Sequence, residues 1–239
     1  MAGLTHPNLV VLTGAGLSAE SGVPTFRGTY GLWEGHHVEE VASPQAFKAV
    51  PEMVHRFYNM RRASLKTVEP NAAHHALVRL EKAWPGSFLH VTQNVDDLNE
   101  RAGAEKLLHM HGQLKKIRCL NCRNVMHWEE DLDISTVCPE CATAGKLRPD
   151  IVWFGEVPYH IEEISQALET VDIFVCIGTS GVVYPAAGFA RQAASKGAKR
   201  LIEINLEATE ISSHFTDQRQ GTAGEEVPRL VEELLKEVL

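Results

Sequence analysis

The sequence predicts an α/β protein: a Rossmann-like parallel sheet flanked by helices, with a small inserted zinc-binding module. Three observations predict this fold. Short apolar runs typical of buried strands alternate with helical patterns along the chain. The first such run, residues 9–13, leads directly into a glycine-rich turn, and two C-x-x-C pairs interrupt the pattern further on. We therefore expect one domain over residues 1–239, with the module of residues 118–147 inserted in it.

Composition limits the class of protein. The 239 residues are 44% hydrophobic and 23% charged, which suits a globular chain, and the formal net charge of -8 argues against general binding of nucleic acid or membranes. No stretch approaches the roughly 20 apolar residues that span a bilayer, and the amino terminus lacks the pattern of a signal peptide. We expect a soluble protein of the cytoplasm, a reducing compartment in which paired cysteines hold metal more often than they form disulfides.

Helical and strand patterns alternate after the first turn. Pro44 and Pro51 suit the first turns of two helices, where a missing N–H group costs nothing. The predicted helices cover residues 43–50, 52–67, 72–84, 161–168, 186–195 and 226–239. The predicted strands after the first cover residues 88–92, 107–111, 173–177 and 200–204.

The turn after the first strand predicts a dinucleotide site. Gly14, Gly16 and Ala19 fit the pattern G-x-G-x-x-G/A, which lets a backbone approach a pyrophosphate and directs helix N-terminal N–H groups at it. A turn that only closes a loop is the alternative. The long helix, second strand and acidic residue of an ordinary dinucleotide unit do not follow. A loop rich in glycine and proline follows instead, and we expect it to cover the nicotinamide end of the cofactor, with Arg27 anchoring a phosphate or the loop; an ordinary connector is again the alternative.

Polar residues follow the predicted strand at residues 88–92. Gln93, Asn94 and Asp96 come directly after it, where open α/β sheets bind ligands. The asparagine can donate through its amide, and the aspartate can accept or stabilise a positive charge. The alternative is an Asx turn that caps the next helix.

Histidine pairs and one isolated cysteine carry weaker signals. We expect His109 and His111 to face opposite sides, so that one lies in a cleft and the other in the core or at the surface; a lone histidine is more often structural. The pairs at residues 36–37 and 74–75 lack metal-site spacing and are expected at the surface. Cys176 lies in an apolar strand and is expected in the core.

Two C-x-x-C pairs predict a zinc site. Cys119, Cys122, Cys138 and Cys141 have the spacing C-x2-C-x15-C-x2-C, which is typical of a tetrahedral site. Four thiolates fill the coordination sphere and leave no position for water. We therefore expect one structural zinc ion per chain.

Tyr58 and Arg61 stand three residues apart on a predicted helix. The arginine could form two parallel hydrogen bonds to a carboxylate, and the tyrosine hydroxyl a third. From the residues alone, a solvated flank of the helix is favoured.

Taken together, the motifs resemble the sirtuins, the family of NAD-dependent protein lysine deacylases. In chain order the resemblance is carried by G-A-G-L-S-A-E-S-G-V-P-T-F-R from residue 14, Q-N-V-D from residue 93, H-M-H-G from residue 109, the two C-x-x-C pairs, F-G-E from residue 154, G-T-S from residue 178 and N-L-E from residue 205. It covers nearly the whole chain. Several unrelated motifs in one order are more specific than any one of them.

The resemblance implies a reaction of NAD with acyl-lysine peptides or proteins that gives nicotinamide, O-acyl-ADP-ribose and lysine. It implies His111 as the general base, with Asn94 and Asp96 as catalytic groups at the nicotinamide ribose. The turn pattern and the resemblance together imply cofactor contacts for Gly14, Ala15, Gly16, Ser18, Ala19, Phe26, Arg27, Gln93, Asn94, Asp96, Gly178, Thr179, Ser180, Asn205 and Ala223. Peptide binding is implied for Val152, Phe154 and Gly155.

The resemblance also bears on the acyl group. Tyr58 and Arg61 look like the Y-x-x-R pair of the sirtuin branch that removes succinyl and malonyl groups, and Ala42 matches a small residue that widens the acyl pocket. We therefore expect a desuccinylase and demalonylase as well as a deacetylase. One departure from the family pattern is Asn99, where sirtuins usually have histidine; an asparagine can donate a hydrogen bond but cannot titrate.

Three other functions remain open on the sequence. A dehydrogenase would need the longer helix, second strand and ribose-binding acid that are missing after the turn. A non-catalytic NAD-sensing or zinc-dependent interaction module would not need His111 or Asn94. ADP-ribosyl transfer to a protein, which some sirtuins perform, uses the same cofactor.

Overall fold

The computed structural model describes residues 6–25, 32–33 and 36–238 of the chain, so Phe26 and Arg27 lie outside the described residues. The described strands are β1 Leu9–Thr13, β2 Leu32–Trp33, β3 His36–His37, β4 Phe88–Thr92, β5 Leu107–His109, β6 Gly112–Cys119, β7 Val125–His127, β8 Leu147–Ile151, β9 Ile173–Ile177, β10 Arg200–Asn205 and β11 Asp217–Gln220. The described α-helices are α1 Val38–Val41, α2 Pro44–Ala49, α3 Pro51–Ser64, α4 Ala72–Ala83, α5 Leu98–Ala102, α6 Ile161–Glu169, α7 Phe189–Ser195 and α8 Ala223–Val238.

Six strands form one parallel sheet in the order β11-β10-β9-β1-β4-β5. After β1, the chain adds β4 and then β5 on one side of β1. It then crosses to the other side of β1 and adds β9, β10 and β11 in turn. Leu9 at the start of β1 is level with Phe88 of β4 and Ile173 of β9. The order of a doubly wound sheet reverses between β1 and β9, where such sheets bind ligands. The predicted Rossmann-like parallel sheet flanked by helices is confirmed.

The central strand is buried on both faces, which is why it reads as a continuous apolar run. Its alternate residues belong to two separate cores. Leu9 and Val11 pack in the core that α4 and α8 cover, while Val10 and Leu12 pack in the core that α6 and α7 cover. The strand ends of the sheet are thereby held rigidly between two helical layers.

Helix starts follow ordinary capping chemistry. Ser43 accepts a hydrogen bond from Ala46 N–H at the start of α2, and Pro44 occupies the first turn. Asn71 caps α4, and its own N–H donates to Nδ1 of His74 at 3.2 Å. His74 is therefore buried, and the expectation that it lies at the surface is wrong; its neighbour His75 is exposed.

A second sheet, in the order β7-β6-β8, carries the cysteine-rich segment. A small core beside the thiols contains Ile117, Leu132 and Leu147. The sequence does not predict β6 and β8 as strands. All five residues of β8 are buried, and three of them are Arg148, Pro149 and Asp150. The sequence of this strand therefore has no apolar pattern that would predict it.

The predicted boundaries agree with the structure within about three residues. The strand predicted at residues 107–111 ends at His109, and the last helix begins at Ala223 rather than residue 226. Cys176 is buried in β9, as predicted. None of the described helices is both long and apolar enough to cross a membrane.

Candidate active site at the switch point of the sheet

A cavity of about 580 Å³ opens at the carboxyl ends of the parallel strands. It lies where a doubly wound sheet binds its ligand, because Gly14 follows β1 and Gly178 follows β9. Every described residue that the sequence predicts for catalysis, cofactor binding or substrate binding lines it: Gly14, Ala15, Gly16, Ser18, Ala19, Ala42, Tyr58, Arg61, Gln93, Asn94, Asp96, His111, Val152, Phe154, Gly155, Gly178, Thr179, Ser180, Asn205 and Ala223.

Two glycine turns form one wall of the cavity. A Cβ atom on Gly16 would lie 2.5 Å from Cα of Gly178, and one on Gly14 would lie 2.8 Å from the Gly178 carbonyl oxygen. Gly178 itself has φ of +60°, a conformation that side chains other than glycine rarely adopt. The turns after β1 and β9 can therefore approach this closely only as glycines. We use the name glycine wall for the surface that these three glycines, Gly14, Gly16 and Gly178, form together with Asn205.

The turn after β1 differs from the predicted phosphate-binding helix start. It continues as two short 3-10 segments, Ala15–Leu17 and Ala19–Ser21, instead of a long helix. Gly16 N–H donates to the Gly178 carbonyl oxygen at 2.8 Å, and Ser18 N–H donates to that of Ala15. The N–H groups of Gly16 and Ser18 are thus used within the protein, and the contact of this turn with a pyrophosphate stays a prediction.

A second wall is held together by polar contacts between the turns. Gln93 Nε2 donates to Thr179 Oγ1 at 3.0 Å, which ties the end of β4 to the end of β9. Asn205 Nδ2 donates to the Thr179 carbonyl oxygen at 2.7 Å, which ties the end of β10 to the same turn. The edges of four neighbouring strands thus form one continuous surface.

A chain of hydrogen bonds links three of the predicted residues. Asn94 Nδ2 donates to Ser18 Oγ at 3.1 Å, and Ser18 Oγ donates to Asp96 Oδ2 at 3.0 Å. Asp96 Oδ1 accepts from Leu98 N–H, so the Asx turn considered from the sequence is present as well. Burial raises the pKa of Asp96, and the hydrogen bonds from Leu98 and Ser18 oppose that rise. The two hydrogen bonds stabilise the ionised carboxylate, but the effect of burial is larger and the pKa of Asp96 stays above its ordinary value.

His111 follows β5 and lies beside the same segment. Its Nδ1 is 3.2 Å from the Gln93 carbonyl oxygen, which can only accept a hydrogen bond. The proton therefore sits on Nδ1 and leaves the lone pair on Nε2. Burial lowers the pKa of His111, and the bond to Gln93 opposes the decrease. The ring is thus neutral at pH 7, the form that a general base requires.

His111 lines the cavity, whereas His109 is buried and is not among the lining residues, in line with the expectation that one of the two lies in a cleft and the other in the core or at the surface. Nδ1 of His109 is 3.0 Å from the Asn94 carbonyl oxygen, next to the carbonyl that His111 contacts. Both rings therefore contact the segment after β4, at neighbouring carbonyl groups.

A further wall, the arginine wall, consists of Ala42, Tyr58, Arg61 and Trp153. All four are buried and line the cavity. The solvated flank that the residues alone favour for Tyr58 and Arg61 is therefore wrong, since their exposed fractions are 0% and 5%. Trp153 Nε1 donates to the Tyr58 hydroxyl oxygen at 2.9 Å. Burial raises the pKa of Tyr58, so its hydroxyl stays protonated.

Arg148 and Glu156 hold Trp153 in place. The guanidinium of Arg148 stacks on its ring at 3.4 Å, and Arg148 bonds both oxygens of Glu156 at 2.7 and 3.0 Å. Glu156 in turn accepts from Trp153 N–H at 2.8 Å. Sequence reasoning does not single out Trp153 as an arginine-wall residue, because its partner Tyr58 is remote in the chain and no spacing rule links them.

The four paired cysteines come together away from this cavity. Their Sγ atoms all lie within 4.8 Å of one another, with 3.7 Å between Cys119 and Cys141 and 3.9 Å between Cys122 and Cys138. Thiolates about 2.3 Å from a tetrahedral zinc ion are about 3.8 Å apart, so the donor set and its size fit zinc. Asn121 Nδ2 approaches Cys141 Sγ at 3.5 Å, a supporting contact typical of such sites.

A model of the Sir2 family matches residues 14–185. The chain belongs to the Sir2 family. A protein of Bdellovibrio bacteriovorus named NAD-dependent protein deacylase is 55% identical over 231 residues, 96% of this chain and 97% of that protein. A Vibrio cholerae protein of the same name is 50% identical over 234 residues, 97% and 95% of the two chains.

Solved structures of Sir2 proteins share the fold. A Sir2 homologue in complex with ADP-ribose is 40% identical, with a TM-score of 0.88 over 96% of this chain and 92% of that chain. A Sir2 protein with a deacetylated peptide and 3′-O-acetyl-ADP-ribose is 29% identical, with a TM-score of 0.82 over 94% of this chain and 92% of that chain.

The residue at position 99, where the resemblance led us to expect a histidine, is not among the residues that line the cavity. Asn99 on α5 is buried, and within the described part of the chain its Nδ2 has no hydrogen-bond partner. Nε2 of His74 on α4 likewise has no hydrogen-bond partner within the described residues. The sequence reveals only the unusual residue type at position 99, because the cost of leaving both groups unpaired depends on helix packing.

Proposed function

We propose that this protein is an NAD-dependent protein lysine deacylase that removes acidic acyl groups such as succinyl and malonyl as well as acetyl. The observation that carries the proposal is that one cavity joins the glycine wall, the catalytic candidates His111, Asn94 and Asp96, and the buried guanidinium of Arg61. The names of the curated relatives support the deacylase activity.

The residues present fit NAD. The glycine wall lies at the switch point of the sheet, and its glycines allow the two turns to meet beside a ligand. The side chains of Gln93, Asn205 and Ser180 add polar groups along the wall. When bound, NAD supplies a ribose carbon from which nicotinamide can leave and a ribose hydroxyl that can receive the acyl group. Ala223 at the start of α8 extends the cofactor surface beyond Asn205 in this proposal.

His111 acts as the general base in this reaction. Its neutral ring carries the lone pair on Nε2, which accepts the proton of a ribose hydroxyl. The hydrogen bond from Nδ1 to Gln93 keeps the ring in that tautomer and stabilises it when the proton arrives.

Asn94 and Asp96 act as electrostatic and positioning groups. The bond from Asn94 Nδ2 to Ser18 holds the amide in one orientation, and the bond from Ser18 to Asp96 keeps a negative charge nearby. A carboxylate in a buried site stabilises positive charge that develops on a bound sugar. Ser18 is thus the link between the two catalytic side chains.

The arginine wall binds the acyl group. A guanidinium can bond both oxygens of a carboxylate, and a buried one does so with little competition from water. Ala42 is buried and lines the same cavity as Arg61, and its methyl side chain occupies less of that cavity than a larger side chain would. An acetyl group presents no charge to Arg61, so the wall distinguishes acidic acyl chains from short neutral ones.

The peptide chain carrying the acyl-lysine binds at residues 152–155. Val152 and Gly155 line the mouth of the cavity, and the Phe154 ring is 49% exposed beside them. An exposed aromatic ring at a cleft is typical of a binding surface. A structural neighbour at 29% identity is a complex with a deacetylated peptide, which supports a peptide as the substrate.

The cysteine cluster holds one structural zinc ion in the same proposal. Residues 118–147 form the inserted module, and the rest of residues 1–239 forms the catalytic domain. Thiols that bind zinc must stay reduced, which supports the cytoplasm as the location of the protein. We leave the number of subunits open.

The proposal is tested by mass spectrometry of matched peptides. One peptide carries acetyl-lysine and the other succinyl-lysine at the same position, and each is incubated with the purified protein with and without NAD. We expect NAD-dependent loss of both groups, faster for succinyl, with nicotinamide and acyl-ADP-ribose as products. Loss of acetyl alone would overturn the role of the arginine wall, and no turnover of either peptide would overturn the deacylase proposal.

A further inference from the structure

His109 contacts two groups that can only accept hydrogen bonds. Its Nδ1 is 3.0 Å from the backbone carbonyl oxygen of Asn94, and its Nε2 is 2.8 Å from Oε1 of Glu100 on α5. A neutral imidazole carries one proton and can donate through one nitrogen only. Both contacts are satisfied at once when the ring carries two protons and Glu100 is ionised.

The neighbouring charges agree with this arrangement. Burial raises the pKa of Glu100, but the hydrogen bond from His109 and its charge bring it below the ordinary value. The other titratable groups facing His109 are Asp96, after β4, and His90, on β4. Burial lowers the pKa of His90 to about 3, so that ring adds no positive charge. His109 therefore has two carboxylates among its neighbours, Glu100 in direct contact and Asp96 through its charge.

The Asn94 backbone has a separate partner on each side. Its N–H donates to Thr92 Oγ1 at 3.0 Å, and its carbonyl oxygen faces His109. The amide side chain of the same residue bonds to Ser18. Asn94 is thus held at three points: its N–H by Thr92, its carbonyl by His109 and its side chain by Ser18. Rotation of the peptide after Asn94 would break the contact with His109 and move the side chain.

We propose that His109, paired with Glu100 and protonated on both nitrogens, is a positioning residue that holds Asn94 in its catalytic orientation. The proposal rests on the proposed function, since it assigns a purpose to the position of Asn94. His109 is not among the residues that line the cavity, so it acts through the Asn94 carbonyl. Its charge also lies near Asp96 and favours the ionised form of that carboxylate.

Nitrogen NMR of the histidine rings tests the protonation directly, without reference to activity. In the protein at pH 7 we expect the His109 ring to show two protonated nitrogens. In Glu100→Gln, the amide can donate to Nε2, so a neutral ring with its proton on Nδ1 keeps both contacts and only one nitrogen should be protonated. A neutral His109 ring in the unaltered protein would overturn the proposal even if no deacylation were found.

Kinetics of matched variants test the positioning. We expect His109→Ala to lower kcat about 10- to 100-fold while KM for the acyl peptide changes less than about 3-fold, because misplacing a reacting group by a fraction of an ångström is costly. The Glu100→Gln variant should retain most of the kcat of the unaltered protein at pH 7, because both contacts of His109 are kept. Gln113→Ala is the control, because Gln113 Nε2 bonds the same Glu100 oxygen at 2.8 Å without contacting Asn94.

Three results would overturn the positioning role: kcat within twofold of the unaltered protein in His109→Ala, a loss in Gln113→Ala as large as in His109→Ala, or a rise in KM that accounts for the whole effect. Normal activity in Gln113→Ala together with lost activity in His109→Ala is the expected pattern. If the unaltered protein turned over no acyl peptide, the proposed function would fail, whereas the ring signature would still decide the protonation state.

Discussion

Trp153 and Tyr58 are joined by a hydrogen bond of 2.9 Å from the indole Nε1 to the hydroxyl oxygen, inside the arginine wall. The indole has only a proton to give, so the tyrosine oxygen accepts here and its own proton is directed elsewhere. The stacked Arg148 guanidinium and the Glu156 carboxylate hold the indole in place. The tyrosine is thereby set as a donor, the role needed to bind a carboxylate beside Arg61.

This relationship predicts coupled effects on acyl selectivity. Tyr58→Phe should lower kcat/KM for a succinyl peptide about 10- to 100-fold, the effect of losing a hydrogen bond to a charged group, and Trp153→Phe about 3- to 10-fold. The double variant should resemble Tyr58→Phe alone, because the indole acts through the hydroxyl. Steady-state kinetics on succinyl and acetyl peptides measure all three variants. Additive losses, or equal losses on both peptides, would contradict the coupling.

The pH dependence of the reaction should report His111. Its pKa is lowered by burial, so the neutral base persists below pH 6.5, and activity should fall only as the pH drops through that lowered value. The measurement is kcat/KM against pH between 5 and 8.

His111→Gln should lower kcat at least about 100-fold while calorimetry still detects binding of ADP-ribose. A variant that retains turnover would exclude His111 as the base.

Buried histidines should make the fold sensitive to acid. Burial lowers the pKa of His90 to about 3 and that of His74 to about 4, while an unfolded histidine titrates near 6.5. The unfolded chain therefore binds more protons below pH 6.5. Stability is full above that value and is lost as pH falls towards 4, by on the order of 1–2 kcal/mol per histidine at pH 5.

Denaturant unfolding at pH 7.5 and pH 5 measures this loss. His90→Leu should reduce the difference between the two free energies of unfolding. His75→Leu is the control, because His75 lies exposed on the same helix as His74. An equal pH effect in His90→Leu and in the unaltered protein would show that other groups cause the acid sensitivity.

Removal of zinc should destabilise the cysteine-rich segment. Cys119 and Cys138 are part of its small core, so loss of the ion exposes a poorly packed cluster. We expect one zinc ion per chain by elemental analysis, and a decrease in Tm of roughly 5–10 °C in Cys138→Ser or after chelation. Cys176→Ala should keep the full zinc content, because that thiol lies in β9. Zinc lost equally from both variants would argue against the four-cysteine site.

Sequence patterns predict the parts of this protein that depend on local order. Strands β1 and β9 are nearly continuous apolar runs because both faces of the sheet are covered, and the turns after them follow directly in the chain. The cysteine spacing likewise specifies its own site. For these features, neighbours in the sequence are sufficient evidence.

Features that depend on remote partners could not be predicted in this way. Arg148 and Asp150 are charged residues inside β8, and they are buried because Glu156, Arg118 and Tyr159 bond to them. The same applies to His109, whose two partners come from a turn and from α5. No periodicity shows such contacts before the chain is folded.

The central claim is that Arg61 in this cavity selects acidic acyl groups, and the most direct measurement compares kcat/KM for succinyl and acetyl peptides in Arg61→Met. We expect desuccinylation to fall about 30-fold or more and deacetylation to stay within about 2-fold, because only the succinyl carboxylate needs the guanidinium. Arg56→Met, an exposed position on the same helix, should change neither rate. Desuccinylation that survives in Arg61→Met, or a parallel loss of both activities, would contradict the account.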